Sequence, residues 1–181
     1  MLIRRETPQD VDATGAVTTA AFRPRPDAPE PAETALVSSL RQEDGWLPAL
    51  SLVAVADDAV IGHVVCSRGF VDDTPALGLG PISVLPDRQG GGVGHALMHS
   101  VLGAADATDE PLVALLGDPA FYRRFGFVAA SGPAYGTHSL GVRTADLLRA
   151  RLHRRARSHR PARCPPRRTA CPPSVSTSTT A

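Results

Sequence analysis

Four glycines fall within five positions, at Gly90, Gly91, Gly92 and Gly94, directly before a stretch with helical apolar spacing. Glycine admits positive φ and leaves backbone N–H groups uncovered. A helix start adds about four N–H donors without intrahelical partners and a partial positive charge. Together they describe an anion site, most naturally for phosphate or pyrophosphate. Arg88 stands at the rim, and a guanidinium suits phosphate oxygens. A turn that only reverses the chain has no need of four glycines beside a helix start.

Other side chains offer chemistry of their own. His95 and His99 share one helical face, a spacing that can bind a metal, but no third ligand stands near and they are expected to be exposed. The phenol of Tyr122 has an ordinary pKa of about 10 and stays protonated at neutral pH, which suits a proton donor; the alternative is a packed ring with its hydroxyl at the core edge. Asp118 precedes Pro119 in the pattern of a helix cap. Cys66 lies in an apolar strand and is expected to be a small buried residue. Trp46 and Phe22 suit either an acceptor pocket or the core.

Composition excludes several classes. All 19 basic residues are arginine, so the lysine of a Walker A loop and the amine of a Schiff-base enzyme are absent. The dinucleotide pattern G-x-G-x-x-G fails at its third glycine, where Leu97 or His95 stands. No apolar run approaches the ~18 residues of a membrane span, and MLIRRETPQD has no apolar stretch after its arginines. Three cysteines, Cys66, Cys164 and Cys171, fit a reducing cytoplasm without a disulfide framework. Residues 1–142 hold nine arginines against seventeen acids, or −8, and residues 143–181 hold ten arginines against one acid, or +9.

Residues 2–6 alternate as a first strand. Thr7 caps a helix running to about Phe22, with Pro8 in its first turn and Asp10 as its capping-box acid. A second short helix covers residues 32–41. Residues 50–56 and 59–70 form a hairpin about Asp57-Asp58. Residues 76–85 form a strand bulged or bent at Gly78, Gly80 and Pro81. A helix over residues 92–105 turns Val93, Leu97, Val101 and Ala104 inward. A buried strand (111–117), a short helix from Asp118 and a strand GFVAA (126–130) follow, and HSLGVRT (138–144) is a candidate last strand. The order gives one mixed α/β domain over residues 1–148. From residue 149 the chain is rich in arginine, proline, serine and threonine, and it is expected to be disordered because it buries too little apolar surface.

Gln89-Gly90-Gly91-Gly92-Val93-Gly94 resembles the Q/R-x-x-G-x-G/A motif of the GCN5-related N-acetyltransferase (GNAT) superfamily, and Phe121-Tyr122-Arg123-Arg124-Phe125-Gly126-Phe127 resembles its F-Y-x-x-x-G-F segment. LGDPAFYRRFGF is especially similar to a YhbS-like bacterial subgroup. The resemblance covers about residues 1–145. It implies a central, mostly antiparallel twisted sheet flanked by helices, with acetyl-CoA as co-substrate, an amine acceptor (small molecule or protein) and no metal. It implies that the amides of Gln89 to Gly94, with Arg88 and His95, hold the pyrophosphate. The bulged strand at Ile82, Ser83 and Val84 would pair with the pantetheine arm, and the Val84 N–H would polarise the thioester carbonyl. Tyr122 would protonate the leaving thiolate, and Asp118 would touch the coenzyme as well as cap its helix. No acid stands in ALGLGPISVL as a general base; Ser83 can orient a water, and Asp72 and Asp73 fit solvated turn acids.

Two rival functions carry their own signatures. A catalytically silent acyl-CoA-binding or regulatory domain would bind coenzyme without turnover. Nucleic-acid binding through the basic tail would show a steep salt dependence; the tail lacks the aromatics of single-strand readers. The tail is otherwise an inert extension or an out-of-frame segment, since the related proteins end in another strand and a short apolar terminus.

Overall fold

The computed structural model describes residues 1–23, 30–71, 73–108, 110–129 and 148–152. Seven strands form one sheet in the order β1-β2-β3-β4-β5-β7-β6: β1 Leu2–Arg5, β2 Trp46–Ala56, β3 Ala59–Val71, β4 Thr74–Val84, β5 Leu112–Leu116, β6 Val128–Ala129 and β7 Leu148–Leu152. Among the described strands only the β4–β5 pair is parallel. The helices are α1 Val11–Phe22, α2 Ala32–Leu40, α3 Val93–Ala105 and α4 Pro119–Tyr122. The mixed, mostly antiparallel sheet expected from the sequence is therefore present.

Local chemistry accounts for the elements. The Asp10 carboxylate accepts from the Thr7 N–H at 2.8 Å and from its hydroxyl at 2.6 Å, so the capping acid is correctly placed. The first turn, Pro8–Asp10, is a 3-10 helix and α1 begins only at Val11. Asp57 and Asp58 both take positive φ, 51° and 58°, the twist a two-residue hairpin needs. α3 buries Val93, Leu97, Met98, Val101, Leu102 and Ala105, a stripe at helical spacing. Ala105, rather than the expected Ala104, is its last fully buried residue.

α3 covers one face of the sheet. A Cβ added at Gly62 would stand 3.0 Å from Leu97 Cδ1 and 3.1 Å from Val93 Cγ1, and the main apolar cluster joins Val64, Cys66, Leu77 and Leu79 of the sheet to Leu97, Met98 and Val101. Strand alternation then turns His63 and its cross-strand partner Ser83 to the opposite face, where α1 lies with its Thr18 hydroxyl 3.1 Å from that of Ser83. Cys66 is fully buried and its thiol is pushed up to about 12 by that burial.

Three expectations differ in extent. β2 begins at Trp46, four residues early, because the chain rejoins the sheet through an irregularity between Trp46 and Ser51. The strand expected over 126–130 is the two-residue β6. The composition break at 148/149 falls inside β7, which pairs with β5 through Leu112↔Leu152 to Leu116↔Leu148. The expected strand at 138–144 and the chain beyond Leu152 lie outside the described residues.

Candidate active site

β4 lies beside β5 only at Leu77↔Val113 and Gly78↔Ala114. The partners on its other edge show why they separate. Cys66 pairs with Leu79 but Val64 pairs with Ile82, so β4 carries one extra residue at Gly80-Pro81. Gly80 has φ 134°, and the peptide to Pro81 is cis. A bulge of this kind bends its strand and ends pairing. From Leu79 to Val84 one edge of β4 stays on β3 while the other has no paired strand among the described residues.

Backbone direction along that edge follows from two bonds. The Leu85 N–H donates to Ile61 O on the β3 side at 3.0 Å, so the Val84 peptide groups point the other way. The Gln89 side-chain amide donates to Val84 O at 3.0 Å. Gln89 thus braces the glycine loop on the strand through its side chain, and the Val84 N–H is left on the open edge. Ile82 shares that edge by alternation, while Ser83 is buried on the α1 face.

Beyond Gln89 the loop climbs onto α3. Gly90 and Gly92 have φ of 76° and 85°, the left-handed region that favours glycine. An added Cβ at either meets nothing within 4 Å, so the requirement comes from the backbone and the space above stays open. Ala96 is the first residue of α3 to find a helical acceptor, the Gly92 carbonyl at 3.0 Å. The N–H groups of Val93, Gly94 and His95 therefore belong to the unpaired first turn.

Positive side chains border this turn. Arg124 Nη1 lies 2.6 Å from His95 Nε2, and its guanidinium stands 5.5 Å from the Phe121 ring centroid. Neither Arg123 nor Arg124 meets a carboxylate among the described residues. Arg88, just before the loop, leans on Asp57 at 3.5 Å and Asp87 at 3.6 Å. His95 is half-buried, not fully exposed as expected, because Arg124 and the Phe121 and Phe125 rings hold it; exposed His99 rests on Phe125. Among the described residues no three His, Cys, Asp or Glu groups gather to hold a metal.

Tyr122 lies at the end of α4. Asp118 caps the helix, accepting from the Ala120 N–H at 2.8 Å. The Tyr122 ring is buried against Phe121 and Phe127. Burial, with Asp118 nearby, raises its pKa, which keeps the phenol a proton carrier.

Solved and sequenced proteins of the same build exist. The family profile described as "Acetyltransferase (GNAT) domain" matches residues 48–129. The "Uncharacterized N-acetyltransferase YhbS" of Escherichia coli K12 is 37% identical over 134 residues, covering 72% of this chain and 75% of that protein. The chain belongs to the GNAT family of N-acetyltransferases. A GNAT acetyltransferase from Brucella melitensis, solved with acetyl-CoA, is 39% identical with a TM-score of 0.63, covering 75% of this chain and 90% of that one. Escherichia coli YhbS, solved with CoA, is 30% identical with a TM-score of 0.67, covering 84% and 81%. This GNAT chain is accordingly an acyltransferase of the N-acetyl class.

Sequence reasoning missed several residues around the site. Gly117 makes room for the Tyr122 ring, since a Cβ there would overlap Tyr122 Cε2 and stand 3.1 Å from Cδ2; no local pattern announces it. Trp46 and Phe22 are partly exposed, and Trp46 carries the Arg41 guanidinium 5.5 Å from its ring. Asp73 is exposed, and Asp72 lies outside the described residues. Glu6, Arg41, Ser51 and His63 form a polar cluster on the α1 face that no spacing in the sequence links.

Proposed function

We propose that acetyl-CoA lies with its pyrophosphate on the Gly90–His95 amides and its pantetheine arm along the open edge of β4. The observation that carries this is the end of β4–β5 pairing at Gly78, which leaves the Val84 edge of β4 unpaired where Gln89 ties it to the glycine loop. Arg124, held by His95 and Phe121 and free of described carboxylates, supplies positive charge toward the phosphates, with Arg88 at the rim. Asp118 borders the same site as it caps α4.

The amine nitrogen attacks the thioester carbonyl carbon, and the Val84 N–H stabilises the developing oxyanion. The C–S bond then breaks, the Tyr122 hydroxyl gives its proton to the departing sulfur, and the proton shed by the attacking nitrogen restores the phenol. The acceptor approaches from the α1–α2 side of the sheet, opposite α3. An acetyltransferase domain through Leu152, in a bacterial cytoplasm, fits the bacterial relatives and the free buried Cys66.

Thiol release from acetyl-CoA by the full chain, across alkylamines and peptide N-termini, tests the assignment. Saturable release with at least one amine is expected. Coenzyme binding without release across the panel would instead assign a binding role.

A further inference from the structure

The general base is missing from β4, and the α1 face behind that strand holds groups the reaction scheme has not used. His63 and Ser83 are direct cross-strand partners, both at 1% exposure or less. The Ser51 hydroxyl donates to Glu6 Oε2, so at 2.9 Å it accepts from His63 Nε2–H. Glu6 Oε2 is a further 3.7 Å neighbour of Nε2. Glu6 also receives Arg41 and, at 3.1 Å, the Thr14 hydroxyl. Burial acts to raise the Glu6 pKa, but His63, Ser51 and Arg41 outweigh it and lower it to about 2. His63 Nδ1 is buried and has no partner among the described residues. In this tautomer it is a bare acceptor.

Ser83 is oriented to match. Thr18 spends its hydroxyl hydrogen on Thr14 O at 2.8 Å, so it accepts from Ser83 at 3.1 Å. The His63 carbonyl is a longer second acceptor for the same Ser83 hydrogen at 3.5 Å, and the Ser83 oxygen lone pairs are left for another donor. A buried unpaired imidazole nitrogen beside a hydroxyl acceptor is a place for an ordered water.

We propose that His63 is the proton acceptor for the substrate amine, acting through one water held between Ser83 Oγ and His63 Nδ1. An ammonium N–H bond breaks and its proton passes to the water. The water gives another proton to Nδ1, and Ser83 accepts its remaining O–H. The amine becomes neutral, the water is regenerated, and the imidazolium faces the Glu6 carboxylate. The charged groups around His63 are Glu6, from the end of β1, and Arg41, after α2; α1, β2 and β4 present Thr14, Thr18, Ser51 and Ser83. This rests on the acetyltransferase reading above.

Two measurements on the full chain test it. In 15N NMR of the imidazoles, His63 is expected with Nε2 protonated and Nδ1 bare at pH 8; Nδ1–H there overturns the proposal without any acceptor being known. His63→Gln is then compared with wild type on an alkylamine, protonated at neutral pH, and an arylamine, neutral at that pH. The alkylamine rate is expected to fall about 100-fold, the arylamine rate to change less than about threefold and acetyl-CoA affinity to hold, which also shows the coenzyme site intact. Equal loss with both amines, or loss with neither, overturns it.

Discussion

Gly117 and Tyr122 occupy one space: the phenol ring of Tyr122 lies where a side chain at 117 would begin. β5 ends at Leu116 and α4 begins at Pro119, so a single backbone turn both delivers the phenol and clears its seat. Gly117→Ala is expected to push the ring off this position, since the added Cβ would overlap Tyr122 Cε2 and Phe121 and Phe127 pack against the same ring. Overpacking of this kind costs about 1–3 kcal/mol. Denaturant unfolding should show that loss, with a fall in kcat larger than any change in coenzyme affinity.

Tyr122→Phe separates packing from chemistry at the same place. The ring and its apolar contacts persist, and only the hydroxyl is lost. Acetyl-CoA affinity should be unchanged by calorimetry and kcat should fall about 100-fold. Equal rates in the two proteins would return Tyr122 to a packing role.

Acid stability should report on Glu6. Its carboxyl is lowered from 4.5 to about 2 in the folded chain, so its contribution is complete above about pH 4.5 and is lost as pH falls toward 2. Glu6→Gln leaves Arg41 without its buried counter-charge, a loss of about 3 kcal/mol at neutral pH. Chemical unfolding across pH 2–7 should show wild type weakening at the acid end and the variant weaker throughout, with a flatter acid limb. Parallel curves would remove Glu6 from the acid response.

Much of this was legible because it is local. Val93, Leu97 and Val101 announced α3 by periodicity, Asp57-Asp58 announced the hairpin, and Gly80-Pro81 announced the bulge that opens β4. The left-handed turn at Gly90 and Gly92 and its uncovered amides were legible because they are properties of single residues. The polar cluster was not. Glu6, Arg41, Ser51 and His63 come from four separate segments, and only sheet register and helix docking bring them together. Gly117 was silent because its role depends on a ring five residues away. The composition break at 149 misled by a few residues, since β7 carries arginines at Arg149 and Arg151 and reads as polar tail.

Calorimetric titration of acetyl-CoA into the full chain and into Gly92→Glu tests the central claim most directly. Gly92 sits at φ 85° with open space before it, so glutamate there would be strained and would direct its charge toward the pyrophosphate. Saturable binding by wild type, absent in a folded Gly92→Glu protein, is the predicted result. Equal affinity in the two proteins, or no binding by folded wild type, would contradict the assignment of the glycine loop to the coenzyme.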